Sequence, residues 1–126
     1  MSLRIMIAAL AVAGSAGVAL ADGGDATAGA AVFKKNCMVC HNATDPKAKV
    51  GPSLQGVVGR PVASVADYKY SDAMKAFGAG KTWTEDELTQ YLPNPKGLVP
   101  GTKMAFLGLK TPKDIADLIA YLKDPK

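Results

Sequence analysis

The run Cys37-Met38-Val39-Cys40-His41 contains both cysteines and the single histidine of a 126-residue chain. Two thiols three positions apart fall on neighbouring turns of a short helix, and an imidazole follows at once. Sulfurs so spaced can meet two vinyl groups along one side of a porphyrin while the next ring points at the iron. The pentapeptide therefore reads as a c-type haem attachment site, with Cys37 and Cys40 as the thioethers and His41 as the proximal ligand. A chain built on this motif has to fold around a large apolar macrocycle.

Other uses of the same spacing fail on the residues available. A structural zinc site takes four Cys or His ligands, and three in one pentapeptide cannot close a tetrahedron. A thioredoxin-like redox pair needs a βαβ setting, which the chain does not offer. A plain disulfide is the remaining alternative, and the adjoining histidine in a secreted chain argues against it.

Secretion is read from the N-terminus. Arg4 precedes an apolar run from Ile5 to Leu20 that ends in Ala19-Leu20-Ala21. A charged start, an apolar stretch and an A-x-A site form a cleaved signal peptide, residues 1–21, with cleavage after Ala21. A retained membrane anchor is the alternative, but the run is short for a span and has no stop-transfer flank. Residues 22–126 then form one small domain in the periplasm. Its core is thin for its size, and only eight aromatic residues are available to fill it. A bound haem would complete that core, so folding and cofactor retention should be coupled.

The formal charge of +4 includes Arg4, and removal of residues 1–21 leaves +3. This balance is too modest for a nucleic-acid binder. Its distribution is more informative: no acidic residue stands between Glu87 and Asp114, an interval holding Lys96, Lys103, Lys110 and Lys113. Together these lysines suggest a face of one sign.

The domain reads as mainly α, in short helices joined by long Gly/Pro-rich loops. Asp25 or Thr27 caps a first helix from about Ala26 to Asn36. Residues 47–67 are loop, rich in glycine and proline, and loops this long usually serve a function, here wrapping a cofactor. A short helix is expected over 70–77. Thr84 with Glu87 forms a capping-box pattern for another, which Pro93 stops. The last helix has Thr111 as cap, Pro112 at its first position and Asp114 in its first turn. Ile115, Leu118, Ile119 and Leu122 make its apolar stripe, read as plain core against the first helix.

A haem bound by His41 alone could take up oxygen or peroxide, whereas one with both axial positions filled passes electrons. With no second histidine, the candidates for the sixth ligand are Met38, Met74 and Met104. Met38 lies inside the attachment loop and cannot reach the far face. Met74 falls on an expected helix, where methionine usually fills core. Met104 ends the irregular run Val99-Pro100-Gly101-Thr102-Lys103-Met104, a loop able to lay a thioether on the opposite face. His/Met ligation would give a high-potential one-electron carrier.

The chain resembles class I cytochromes c, nearest to bacterial cytochromes c2 and their mitochondrial relatives. Besides Cys37 to His41, the likeness rests on Gly51-Pro52-Ser53-Leu54-Gln55-Gly56, Tyr91-Leu92-Pro93-Asn94-Pro95-Lys96 and Pro100-Gly101-Thr102-Lys103-Met104-Ala105-Phe106. It implies the cytochrome c fold around one covalent haem c, with His41 and Met104 as axial ligands and no enzymatic reaction. It also implies that the Pro52 carbonyl accepts the second ring proton of His41. Arg60, Tyr70 and Trp83 match positions that contact haem propionates, and Tyr91 and Thr102 match positions near the methionine side. Gly29 and Phe33 match first-helix residues that pack on Leu118 and Tyr121. Met74 departs from the family, where many members carry asparagine, and the span from Met74 to Trp83 looks slightly longer than in mitochondrial members.

By the same resemblance the protein is a monomeric, soluble shuttle of a respiratory or photosynthetic chain. Lys96, Lys103 and Lys110 would steer it to acidic patches on cytochrome bc1, a terminal oxidase or a photosynthetic reaction centre. The competing expectation is a haem enzyme or gas sensor with an open sixth site, which requires Met104 to be away from the iron.

Overall fold

The computed structural model describes residues 23–126, so the expected signal peptide lies outside the described residues. Five helices follow one another: α1 Ala26–Asn36, α2 Asp72–Gly78, α3 Glu85–Tyr91, α4 Pro95–Leu98 and α5 Pro112–Lys123. Among the described residues the extended structure amounts to an isolated antiparallel bridge between Pro61 and Thr82. None of the described helices is long and apolar enough to cross a membrane.

Helix starts follow local chemistry. Asp25, not Thr27, caps α1, its carboxylate accepting from the N–H groups of Thr27 and Ala28. The Ser71 hydroxyl accepts from Met74 N at 3.0 Å, so α2 begins two residues after the expected Tyr70. Thr84 caps α3 by accepting from Glu87 N at 3.1 Å. The reciprocal half of the box does not form: Thr84 N bonds to Thr82 O, and the Glu87 carboxylate pairs with Lys81 at 3.5 Å. α4, which periodicity could not reveal in four residues, starts from an Asn94 cap with Pro95 at its first position. α5 keeps its expected cap, with Thr111 Oγ1 accepting from Asp114 N.

The two terminal helices, α1 and α5, make the main helix pair. Phe33 and Tyr121 meet with ring centroids 5.5 Å apart. The backbones approach most closely at Gly29, where a Cβ would overlap the Asp117 carbonyl and lie 2.8 Å from Tyr121 Cβ. Asp117, only 3 % exposed, ties the pair together. One of its oxygens accepts from Asp25 N at 2.8 Å and the other from Lys113 Nζ. Lys113 is thus paired with a carboxylate that offsets its charge. Lys123 bonds Glu85 at 3.0 Å and links α5 to α3.

Ile115, Leu118, Ile119 and Leu122 are all buried, as the stripe required. The stripe is more than helix-to-helix core, however: Leu118 and Leu122 also line the central cavity. α5 therefore packs on α1 with one edge and walls the site with the other.

Candidate functional site

The described chain forms a partly open cavity of about 540 Å³. Cys37, Cys40, His41, Pro52, Arg60, Tyr70, Trp83, Tyr91, Thr102 and Met104 all contribute to its wall. Residues scattered over 68 positions of sequence are thereby gathered around one space.

The attachment motif follows α1 directly, but as a turn and not as further helix. Cys37 is the C-cap of α1, and its carbonyl accepts from Cys40 N at 3.1 Å and His41 N at 2.9 Å. Both cysteines are partly buried, and no disulfide joins them. The loop after the motif folds back through Gly51 N to Cys40 O at 2.8 Å and Leu54 N to Asn42 O at 2.8 Å.

This loop orients His41. Its Nδ1 lies 2.7 Å from the Pro52 carbonyl oxygen. A carbonyl can only accept, so Nδ1 carries the proton and the neutral ring leaves Nε2 with its lone pair. Burial holds His41 below its ordinary value, the Pro52 bond acts in the opposite sense, and the charges of Arg60 and Lys49 add to the lowering. Gly51 lies flat against the ring, and a Cβ there would collide with the imidazole.

Arg60 and Trp83 are brought side by side by the short antiparallel stretch. Trp83 N donates to Arg60 O at 2.9 Å, and Gly59 N donates to Trp83 O at 2.7 Å. The Arg60 Nη1 donates to Gln55 O at 3.0 Å, while its Nε is buried without a partner among the described residues. A buried cationic donor without an acceptor beside an apolar cavity fits an anionic group at that edge. Tyr70 contributes a hydroxyl that accepts from Val65 N at 3.1 Å, which leaves its own proton free to donate.

Another part of the wall is aromatic. Trp83 and Tyr91 pack with centroids 4.8 Å apart, and Phe77 joins them. The Tyr91 hydroxyl sits 3.9 Å from Met104 Sδ. Burial pushes the Tyr91 phenol up to about 12, against the opposing effect of a hydrogen bond with Thr102 and with a small addition from Tyr68. The phenol therefore keeps its proton and donates. The turn at Pro100-Gly101, where Gly101 takes φ +88°, leads into the Met104 segment. Thr102 Oγ1 then accepts from Met104 N at 3.3 Å.

Met74 lines the same cavity from α2, bringing a thioether and no oxygen or nitrogen to its wall. Met38 is 43 % exposed and is not part of the wall. Leu54, Val57 and Phe106 are among the other residues that line it. Sequence reading assigned these three no individual role, because they sit in loops where no period marks an inward face; the length of the 47–67 loop hinted only at Leu54 and Val57.

A cavity with an apolar wall, two adjacent thiols, an oriented imidazole and an unpaired guanidinium N–H fits a flat macrocycle with anionic substituents. The family model described as Cytochrome c matches residues 26–126. The chain belongs to the cytochrome c family. It is 52 % identical to a cytochrome c of Gibberella zeae over 81 % of this chain and 95 % of that one. To a cytochrome c of Arabidopsis thaliana it is 50 % identical, covering 80 % of this chain and 89 % of the plant protein. A cytochrome c2 of Rhodomicrobium vannielii is 52 % identical over 79 % of this chain and 78 % of its own. As a cytochrome c the protein is an electron carrier, not an enzyme, and binds one covalent haem c through the Cys37 and Cys40 spacing.

Proposed function

We propose that this cytochrome is a soluble one-electron carrier of a periplasmic respiratory or photosynthetic chain, with His41 and Met104 as the axial ligands of its iron. The observation that carries the reading is that His41 and Met104 face one cavity also lined by Cys37 and Cys40. When bound, the haem supplies the redox step by alternating between ferrous and ferric iron, at a potential raised by the thioether.

The chain's own part is to hold ligands still and keep water out. The Pro52 carbonyl fixes the His41 ring and raises its basicity. Arg60 Nε, the free Tyr70 proton and the edge of Trp83 are the groups to take the propionates. The Tyr91 hydroxyl donates toward the Met104 thioether, while the Thr102 hydroxyl accepts from the Met104 N–H. Because nothing dissociates between oxidation states, reorganisation stays small.

Partners are met through Lys96, Lys103 and Lys110, which are exposed and pair with no carboxylate among the described residues. They fit acidic patches on membrane redox complexes such as cytochrome bc1, a terminal oxidase or a reaction centre, met by a monomer. The periplasmic setting rests on Arg4, the apolar run to Leu20 and the Ala19-Leu20-Ala21 site, with residues 22–126 as the mature domain. Relatives named cytochrome c and cytochrome c2 match at similar identity, so the family alone does not assign the compartment.

Fractionation with intact-mass measurement tests this reading. Residues 22–126 plus one haem should be released with the periplasm, and electron transfer with isolated bc1 complex should slow as salt rises. A retained leader in the membrane fraction, or a salt-independent rate, would contradict it.

A further inference from the structure

Gly78 to Lys81 run from the end of α2 toward Trp83 and take no part in the cavity wall. The stretch is nonetheless firmly held. Lys81 N donates to Gly78 O at 2.9 Å, and Val62 N donates to Lys81 O at 3.0 Å. Gly80 turns the chain at φ +75°, a conformation that side-chain-bearing residues rarely adopt. Gly78 is buried, and a Cβ there would collide with the Val62 side chain.

This turn brings the Lys81 side chain back over α2. Its ammonium lies 4.1 Å from the centroid of the Phe77 ring, within cation–π range. Glu87 on α3 meets the same ammonium at 3.5 Å. Phe77 in turn packs on two rings of the wall, 6.3 Å from the centroid of Trp83 and 6.3 Å from that of Tyr91, tilted only 28° from the latter. Trp83 and Tyr91 line the cavity whereas Phe77 does not, so its ring forms an outer layer on theirs. Phe77 is half-buried, which makes that layer the boundary with water.

We infer that Lys81 is a positioning residue, whose ammonium holds the Phe77 ring as a cover over Trp83 and Tyr91. The inference rests on Trp83 offering its edge to a propionate. Glu87 steadies the ammonium and offsets its charge, so Lys81 acts by holding the ring and not through its field. Losing the cation should leave both axial ligands in place and let water reach the Trp83 indole more often.

Hydrogen exchange at the Trp83 indole N–H, followed by NMR in the reduced holoprotein, reads that access directly, because the chain has a single tryptophan. Lys81→Gln should exchange about three- to fivefold faster than wild type, the scale of one cation–π contact at a part-exposed site. Lys81→Arg keeps a cation that stacks on aromatic faces and should restore the wild-type rate. Phe77→Leu should also exchange faster, and adding Lys81→Gln to it should change nothing further. A wild-type rate in Lys81→Gln, or the same added acceleration with Phe77 already replaced, would overturn the cover. So would an equal acceleration at the Leu118 backbone N–H in α5, which would mean a general loss of stability. Trp83→Phe separates this from the underlying reading: if it keeps the wild-type reduction potential, the propionate role of Trp83 fails, not the cover.

Discussion

The Tyr91 hydroxyl donates toward the Met104 sulfur across 3.9 Å, and burial keeps that phenol protonated. A donor on a thioether withdraws electron density from it, which favours the ferrous state of an iron the sulfur ligates. Tyr91→Phe keeps the ring packing against Trp83 and removes only the donor. Its reduction potential should fall by about 20–40 mV, the equivalent of one weak hydrogen bond in a one-electron couple. An unchanged or higher potential by voltammetry would show that the contact has no electronic consequence.

Close approach of α1 and α5 depends on the missing side chain at Gly29. Its substitution by alanine would push a methyl group into the Asp117 carbonyl, backbone that cannot step aside. Gly29→Ala should lose about 1–3 kcal/mol in denaturant melts, despite the better helix propensity of alanine. A variant as stable as wild type would mean that the two helices can separate freely at this point.

Asp117 makes the same contact sensitive to acid. The Lys113 ammonium and then the Asp25 N–H hold its carboxyl below the ordinary value. The folded state therefore binds fewer protons here than the unfolded one. This stabilisation is fully present above the unfolded carboxylate value of about 4 and is lost as pH falls through the lower folded value. The groups acting on it are the Lys113 ammonium and the Asp25 N–H, and Lys113 in turn feels the charges of Asp25 and Asp114. Urea midpoints should drop more steeply below about pH 4 in wild type than in Asp117→Asn. Parallel slopes would remove Asp117 from the account of acid sensitivity.

Much of this arrangement is legible in the sequence because its signals are local. Caps at Thr84 and Thr111, the stripe on α5 and the Cys37 to His41 run each declare themselves within a few residues. α4 escapes because four residues carry no period, and Asp117 escapes because an acidic residue inside an otherwise amphipathic helix looks like ordinary surface. Its partner, the N–H of Asp25, lies 92 residues away. The cavity wall from Leu54, Val57 and Phe106 escapes for a related reason: loops turn side chains inward without any repeat to show it. Lys103 could be read as a charge, but its bond to the Lys69 carbonyl could not be foreseen, since any residue supplies such an acceptor.

Carbon monoxide added to the reduced holoprotein tests the central claim, that His41 and Met104 together occupy both axial positions. The wild-type spectrum should not change on the time of mixing, while Met104→Ala should bind the gas at once. Prompt binding by wild type would leave the sixth position open and make the protein something other than a simple electron carrier.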